Sequence, residues 1–214
     1  MPATPDAFDQ STYQVRLEWG IEGLARLAPA DVIVVVDVLR FSTTVIRALE
    51  DGIESRLDDA RATSINGAVV AAAAAGTGVV LLGALRNASA VAAAVVAEQG
   101  RRGGRTSVAV IAAGERTAPA AASPLRFAVE DFLGAGAVIA ALADRGIDHS
   151  SPEAAAAAES FRALRGAARH LLTASGSGRE LADRRDEVHA AAAVDAASVV
   201  PVLRDGVFVA LSGG

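Results

Sequence analysis

The chain has 214 residues, of which 52% are hydrophobic, and a formal net charge of −5 at pH 7. This length and composition allow a sizeable core and predict a folded chain rather than a disordered one. The absence of cysteine excludes disulfides, thiolate nucleophiles and cysteine-ligated metals. The 20 basic residues, all of them arginine, are outnumbered by 25 acidic residues, which argues against a nucleic-acid partner.

Other classes of protein are excluded by the distribution of the remaining residues. The three histidines are far apart in the sequence and form no local zinc motif. The apolar stretches are much shorter than the ~20 residues that cross a bilayer, so no membrane partner is expected. The polar N-terminus resembles no signal peptide. We therefore expect a cytoplasmic protein with a flexible tail over residues 1–12.

The first half of the chain predicts strands that alternate with helices. Residues 13–18 alternate polar and apolar side chains, as an edge strand does, and a short helix follows. Residues 31–37 form a continuous β-branched run, which is typical of a central strand covered on both faces. The next helix runs to about Glu50, and "GVVLLG" predicts another buried strand.

The second half predicts one more strand, "TSVAVIAAGER", and a long helix, "LRFAVEDFLGAGAVIAAL", with Glu130 and Asp131 in its middle. Ser150 and Glu153 have the spacing of a capping box at the start of an alanine-rich helix. Two short strands around Asp205-Gly206 predict a β-hairpin. The pattern fits a single α/β domain over residues 13–214 with a helical C-terminal segment.

Polar side chains follow three of the predicted strands. At such positions a parallel strand leads into a helix, and open α/β sheets bind anions and other ligands there. Oxygen ligands suit magnesium, and guanidinium groups can clamp a phosphate. The candidate metal ligands are Asp37, Glu115, Glu130 and Asp131, and the candidate anion-binding arginines are Arg40, Arg86, Arg116 and Arg179. Together they predict a metal-dependent phosphoester site.

Each of these signals also has a structural interpretation. Asp37 and the triplet Ser42, Thr43 and Thr44 can act as helix caps, and Asn87 can cap the helix that follows it. Glu130 and Asp131 can form a solvated helix face. Three established phosphate-handling motifs are excluded, because the chain has no cysteine, no lysine, and Leu39 where a DxDxT motif needs its second acid.

Eight blocks of this sequence, in order, resemble the 2-phosphosulpholactate phosphatase family over about residues 13–210. They are "VVVDVLRFSTTVIRALEDGI", "SINGA", "LRNASAVA", "AAGER", "FAVEDFLGAGAVI", "SPEAAAA", "SGRELADR" and "DAASVVPVLRDGVF". The resemblance implies a three-layer α/β/α fold with a largely parallel or mixed sheet that ends in the hairpin. It also implies a homodimer that uses Mg²⁺ to hydrolyse 2-phospho-3-sulpholactate, a small anionic substrate, in coenzyme M biosynthesis.

Carried over by motif, the resemblance implies two sets of site residues. Asp37 with Glu115, Glu130 or Asp131 would hold magnesium, and Asp37, Arg40, Glu115 and Arg116 would be catalytic. Phosphate, carboxylate or sulphonate would be bound by Arg40, Ser42, Thr43, Thr44, Asn66, Arg86, Asn87 and Arg116.

The sequence departs from the family pattern between about Ile53 and Asn66, where "SRLDDARATS" stands in place of a glycine-rich segment. One explanation is an enzyme whose substrate is a different small phosphorylated acid. Another is an inactive family member that binds an anion or serves a structural role. The enzyme requires Asp37, Glu115 and Glu130 to converge, whereas a purely structural protein allows them to diverge into solvent.

Overall fold

The computed structural model describes residues 6–119 and 122–211, which build one seven-stranded sheet in the order β1-β5-β2-β4-β6-β7-β3. Strands β1, β5, β2 and β4 are parallel, and β6, β7 and β3 extend the sheet as antiparallel strands. The strands are β1 (Val15–Trp19), β2 (Val32–Val36), β3 (Ser55–Arg56), β4 (Val79–Gly83), β5 (Val108–Ala112), β6 (Pro201–Arg204) and β7 (Val207–Ala210).

Helices connect the strands and cover the sheet. They are α1 (Gly20–Arg26), α2 (Phe41–Glu50), α3 (Leu57–Arg61), α4 (Gly67–Ala74), α5 (Ala88–Arg102), α6 (Val129–Ala143), α7 (Pro152–Leu164), α8 (Ala168–Ala174), α9 (Gly176–Glu180) and α10 (Arg185–Ala191). Within residues 6–119 and 122–211, none of the helices is long and apolar enough to cross a membrane.

The hydrophobic core has two parts, one on each face of the sheet. Along β2, Val34 packs into the part that α5, α6 and α7 cover, whereas Ile33 and Val35 pack into the part beneath α1 and α4. This alternation explains the continuous apolar run of β2, because successive side chains point to opposite covered faces. The three-layer α/β/α fold, its mixed sheet and the hairpin around Asp205-Gly206 are thus confirmed.

Two predicted helix starts need correction. Helix α6 begins at Val129, not at Leu125, so Glu130 and Asp131 lie in its first turn rather than in its middle. The N-cap of α7 is Ser151 rather than Ser150, since its hydroxyl accepts the N–H of Ala154 at 3.2 Å. The first error arose because apolar residues precede Val129, and the second because Ser150 and Ser151 are adjacent and both can cap a helix.

The predicted tail lies partly outside the described residues, since residues 1–5 do so. Further along it, Gln10 is buried, and its side-chain amide both donates to the carbonyl of Leu17 and accepts the N–H of Leu17. This part of the N-terminal segment therefore packs against β1.

Helices α6 and α7 approach each other closely at Gly136. A Cβ atom built at this position would lie 2.2 Å from the carbonyl oxygen of Ala157, which is backbone and cannot swing aside. The small face of α6 therefore sets the distance between the two helices.

We predict that Gly136→Ala lowers the free energy of unfolding by about 2 kcal/mol or more, because the added methyl group overpacks the helix contact. The matched control is Gly100→Ala in α5, where a Cβ would meet nothing within 4 Å. That change should raise stability by about 0.5–1 kcal/mol through helix propensity. Urea denaturation measures both, and equal stability of the two variants would contradict the packing argument.

Candidate active site

Asp37 lies directly after β2, where the chain turns towards α2. Its Oδ1 accepts the N–H of Phe41 at 3.1 Å, and its Oδ2 accepts the N–H of Gly67 at 2.9 Å. The second bond depends on glycine, because a Cβ at residue 67 would lie 2.6 Å from the Cβ of Asp37. Asp37 therefore joins the first turns of α2 and α4 at the carboxyl edge of the sheet.

Asp131, in the first turn of α6, makes a similar pair of bonds. Its Oδ1 accepts the N–H of Val38 at 2.7 Å, and its Oδ2 accepts the N–H of Gly114 at 2.9 Å. These two backbone groups follow β2 and β5, which are neighbouring parallel strands. Asp131 thus connects the segments that follow β2 and β5, next to Asp37.

Glu130 connects this edge to α9 through Ser177. The Ser177 hydroxyl lies within hydrogen-bond distance of Glu130 Oε1 and 3.2 Å from Glu115 Oε1. A hydroxyl has only one proton to donate, so it can satisfy one of the two carboxylates at a time. Glu115 has a second partner in Arg126, whose guanidinium lies 2.8 Å from its Oε2.

The negative charges at this edge act on one another in a buried environment. The exposed fractions of Asp37, Glu130 and Asp131 are 5%, 2% and 3%. Burial, and to a lesser degree the charge of Glu130, raises the pKa of Asp37 to about 6, against the lowering effect of its N–H partners and Arg40. Burial and the charges of Asp37 and Glu130 also raise the pKa of Asp131 well above its ordinary value. The expectation of a solvated Glu130-Asp131 face is therefore wrong.

A cleft of about 530 Å³ opens beside Asp37. Arg40, Thr44, Asn66 and Ser177 also line it. The Oδ1 atom of Asn66 is buried and has no hydrogen-bond partner among the described residues. The cleft has the size of a small-molecule site and presents polar groups that a ligand can contact.

Several predicted phosphate ligands serve the fold instead. Ser42 accepts the N–H of Asp37 and donates to the carbonyl of Val35, while Thr43 donates to the carbonyl of Val38 at 2.8 Å. Both side chains are buried and shape the turn after β2.

The predicted ligands Arg86 and Asn87 also have protein partners. Arg86 donates to the carbonyl of Ala190 at 2.8 Å and pairs with Glu50 at 3.2 Å. Asn87 is fully buried; its oxygen accepts the N–H of Ala84, and its nitrogen donates to two carbonyls. Asn87 therefore does not cap α5, because its acceptor is already occupied within the preceding turn.

The remaining predicted residues lie in two neighbouring clefts. Glu115 and Arg179 line one of about 580 Å³, and Arg116 lines another of about 640 Å³. Arg116 makes bonds of 2.6 Å to both carboxylate oxygens of Glu22. The structure thus brings Asp37, Arg40, Thr44 and Asn66 to one cleft. The other predicted arginines, Arg86, Arg116 and Arg179, do not line it.

Sequence reasoning did not identify Ser177 or Arg56 as site residues, although both line the cleft with Asp37. The glycine- and serine-rich stretch "SGSGRE" resembles a phosphate-binding loop and is the local signal that could have pointed to Ser177, whereas nothing local distinguishes Arg56 from other exposed arginines. Within residues 6–119 and 122–211, no three histidine, aspartate or glutamate side chains are grouped so as to hold a metal by themselves.

Comparison with protein families identifies the chain. The model of the family described as 2-phosphosulpholactate phosphatase matches residues 58–206, from α3 into the hairpin. The chain belongs to this family. It is accordingly a phosphoric monoester hydrolase, and the match includes Glu115, Glu130 and Ser177. Among curated proteins, none matches the chain.

The raised pKa of Asp37 predicts a loss of stability with rising pH when a chelator removes cations. In the unfolded chain Asp37 ionises near 3.8, and in the folded protein near 6. Between these values the unfolded state binds fewer protons, so the free energy of unfolding falls as the pH rises, by about 3 kcal/mol for this shift. Asp131 adds to the fall in the same direction.

Urea denaturation between pH 4 and 7 measures this slope. We expect Asp37→Asn to flatten it, because the substituted side chain does not ionise, even if the lost N–H acceptor lowers stability at every pH. Asp148→Asn, which alters an exposed carboxylate, is the control and should retain the slope. An identical slope in Asp37→Asn and wild type would contradict the assignment.

Proposed function

We propose that this family member is a magnesium-dependent phosphatase of small phosphorylated acids, with 2-phospho-3-sulpholactate as its substrate. The observation that carries the proposal is the buried carboxylate of Asp37, which lines the 530 Å³ cleft at the carboxyl edge of the parallel strands. The charge of Glu130, also buried, acts on Asp37, and Glu130 contacts Ser177, another residue of the cleft lining. In open α/β sheets this edge is where ligands bind.

Magnesium fits the chemistry of this pair. A phosphate dianion next to Asp37 would be repelled by the carboxylates unless a cation stood between them. Magnesium commonly uses one or two protein carboxylates and completes its shell with waters and substrate phosphate, so a group of three carboxylates is not needed. Asp37 and Glu130 would hold the ion, with Glu115 within reach through the shared Ser177 hydroxyl. When bound, magnesium would make water more acidic and offset charge on the phosphoryl oxygens.

The side chains of the cleft would position the substrate for hydrolysis. Arg40 and the amide of Asn66 can donate to phosphoryl oxygens, and Thr44 adds a hydroxyl. A water oxygen would attack phosphorus as the bond to the substrate's ester oxygen breaks, and one proton of that water would end on the leaving oxygen, which gives the free hydroxy acid and inorganic phosphate. Asp131 would act indirectly, because its two backbone bonds hold the loops that carry Asp37 and Gly114.

The main alternative is a phosphatase for another small phosphorylated acid. The volume and polar lining of the cleft suit any such molecule, and the segment between Ile53 and Asn66 differs from the expected glycine-rich one. A homodimer and a place in coenzyme M biosynthesis, which the resemblance implies, stay predictions. The three carboxylates Asp37, Glu115 and Glu130 do not diverge into solvent, as a purely structural protein allows. Asp37 and Glu130 are buried and the charge of Glu130 acts on Asp37, but Glu115 lines a neighbouring cleft and reaches Glu130 only through the Ser177 hydroxyl.

Release of inorganic phosphate from purified protein tests the function. The substrates are 2-phosphosulpholactate, 2-phospholactate and phenyl phosphate, each with magnesium and with a chelator. We expect release that the chelator abolishes, fastest with 2-phosphosulpholactate. Release that is unaffected by chelation would overturn the magnesium assignment, and no release from any substrate would overturn the enzymatic proposal.

We predict that Asp37→Asn lowers kcat on the best substrate by about a hundredfold or more, because the proposed magnesium site loses one of its two carboxylates. Asp148→Asn should retain wild-type kcat, since Asp148 is exposed and does not line the cleft. Circular dichroism checks that both variants fold. Full turnover by a folded Asp37→Asn variant would contradict the proposed role.

A further inference from the structure

The segment that departs from the family pattern forms a wall of the cleft. Several residues between Glu54 and Asn66 line it, and Arg56, Asp59 and Ser64 are among them. Asp37 lines the same cleft from the end of β2. A substrate with its phosphate at Asp37 would therefore extend towards the segment, which makes this segment the part of the chain that contacts the rest of the substrate.

Within the part of the chain that the structure describes, Arg56 is the cation of this wall that is free to bind a ligand. The other guanidinium lining the cleft, that of Arg40, pairs with Glu187 at 3.1 Å. Among the described residues, Arg56 has no carboxylate within 4.0 Å of its guanidinium and no side-chain hydrogen bond. The guanidinium N–H groups of Arg56 are thus available to donate to an anionic group in the cleft.

The backbone of Arg56 is held in place by the sheet. Arg56 pairs with Val207 in the antiparallel β3–β7 ladder, and the N–H of Leu57 donates to the carbonyl of Gly206 at 2.9 Å. The neighbouring pair, Ser55 and Phe208, fixes the register, because Phe208 is completely buried. Residues on strands position a ligand more accurately than residues on loops.

We propose that Arg56 binds the second acid group of the substrate, a carboxylate or a sulphonate, and so makes the enzyme selective for phosphorylated acids over phosphate esters without another charge. This inference rests on the proposed function and deepens it. The acidic side chains of the cleft, Asp37, Glu54, Asp59 and Glu180, would repel such a group elsewhere. Arg56 is consequently the favourable place for it.

Steady-state kinetics with Arg56→Gln test the proposal. The kcat/KM for 2-phosphosulpholactate, which carries both a carboxylate and a sulphonate, should fall about tenfold relative to that for phenyl phosphate, mainly through KM, because one charge-assisted bond is lost. Arg56→Lys should recover part of the ratio, since it keeps the charge without the fork. The control is Arg61→Gln in the same segment, because Arg61 is exposed and does not line the cleft.

Comparing 2-phospholactate with 2-phosphosulpholactate distinguishes the two acid groups. If Arg56 binds the carboxylate, Arg56→Gln lowers kcat/KM for both substrates alike. If it binds the sulphonate, the loss is confined to 2-phosphosulpholactate. Either pattern supports the proposal, and a ratio to phenyl phosphate that is unchanged for both substrates would overturn it.

Equilibrium binding of sulpholactate, which has no phosphate, tests Arg56 independently of catalysis. We expect wild type and Arg61→Gln to bind it equally and Arg56→Gln to bind about tenfold more weakly. This result would support the role of Arg56 even if no phosphate were released from any substrate. No binding to wild type, or equal binding to all three proteins, would overturn the proposal.

Discussion

Two buried aspartates hold the carboxyl edge of the sheet together. Asp37 accepts N–H groups from the first turns of α2 and α4, and Asp131 accepts N–H groups from the chain that leaves β2 and β5. A buried carboxylate is costly unless it is hydrogen-bonded, so each of these backbone bonds is needed. The turns at this edge, and the cleft beside them, depend on these two side chains.

The same arrangement leaves negative charge that the protein alone does not neutralise. The backbone bonds lower the pKa of Asp37, yet burial and Glu130 outweigh them. Such raised pKa values are typical of functional sites, where groups that are needed for activity often lower the stability of the folded protein. A divalent cation would remove the repulsion and at the same time attract a phosphate. The buried carboxylates therefore lower the stability of the protein without a cation, and the same carboxylates would bind the magnesium that the proposed catalysis needs.

The strands could be predicted from the sequence because β-branched runs and the Asp205-Gly206 turn are local signals. Asp37 was identifiable for the same reason, since a charge directly follows an apolar strand. The burial of Glu130 was not, because it depends on where α6 begins and on contacts with α9, far along the chain. Similarly, the side-chain amide of Asn87 could donate to an anion, but in the folded protein its nitrogen donates to two backbone carbonyls instead. One of these carbonyls, that of Val199, is distant in the sequence.

Titration calorimetry of the chelator-treated protein at neutral pH measures whether Asp37 and Glu130 together bind magnesium. We expect one magnesium ion per chain in wild type and in Asp148→Asn, and binding weakened at least about tenfold in both Asp37→Asn and Glu130→Gln. Folded Asp37→Asn and Glu130→Gln variants that bind magnesium as wild type does, or a wild type that binds none, would contradict this expectation.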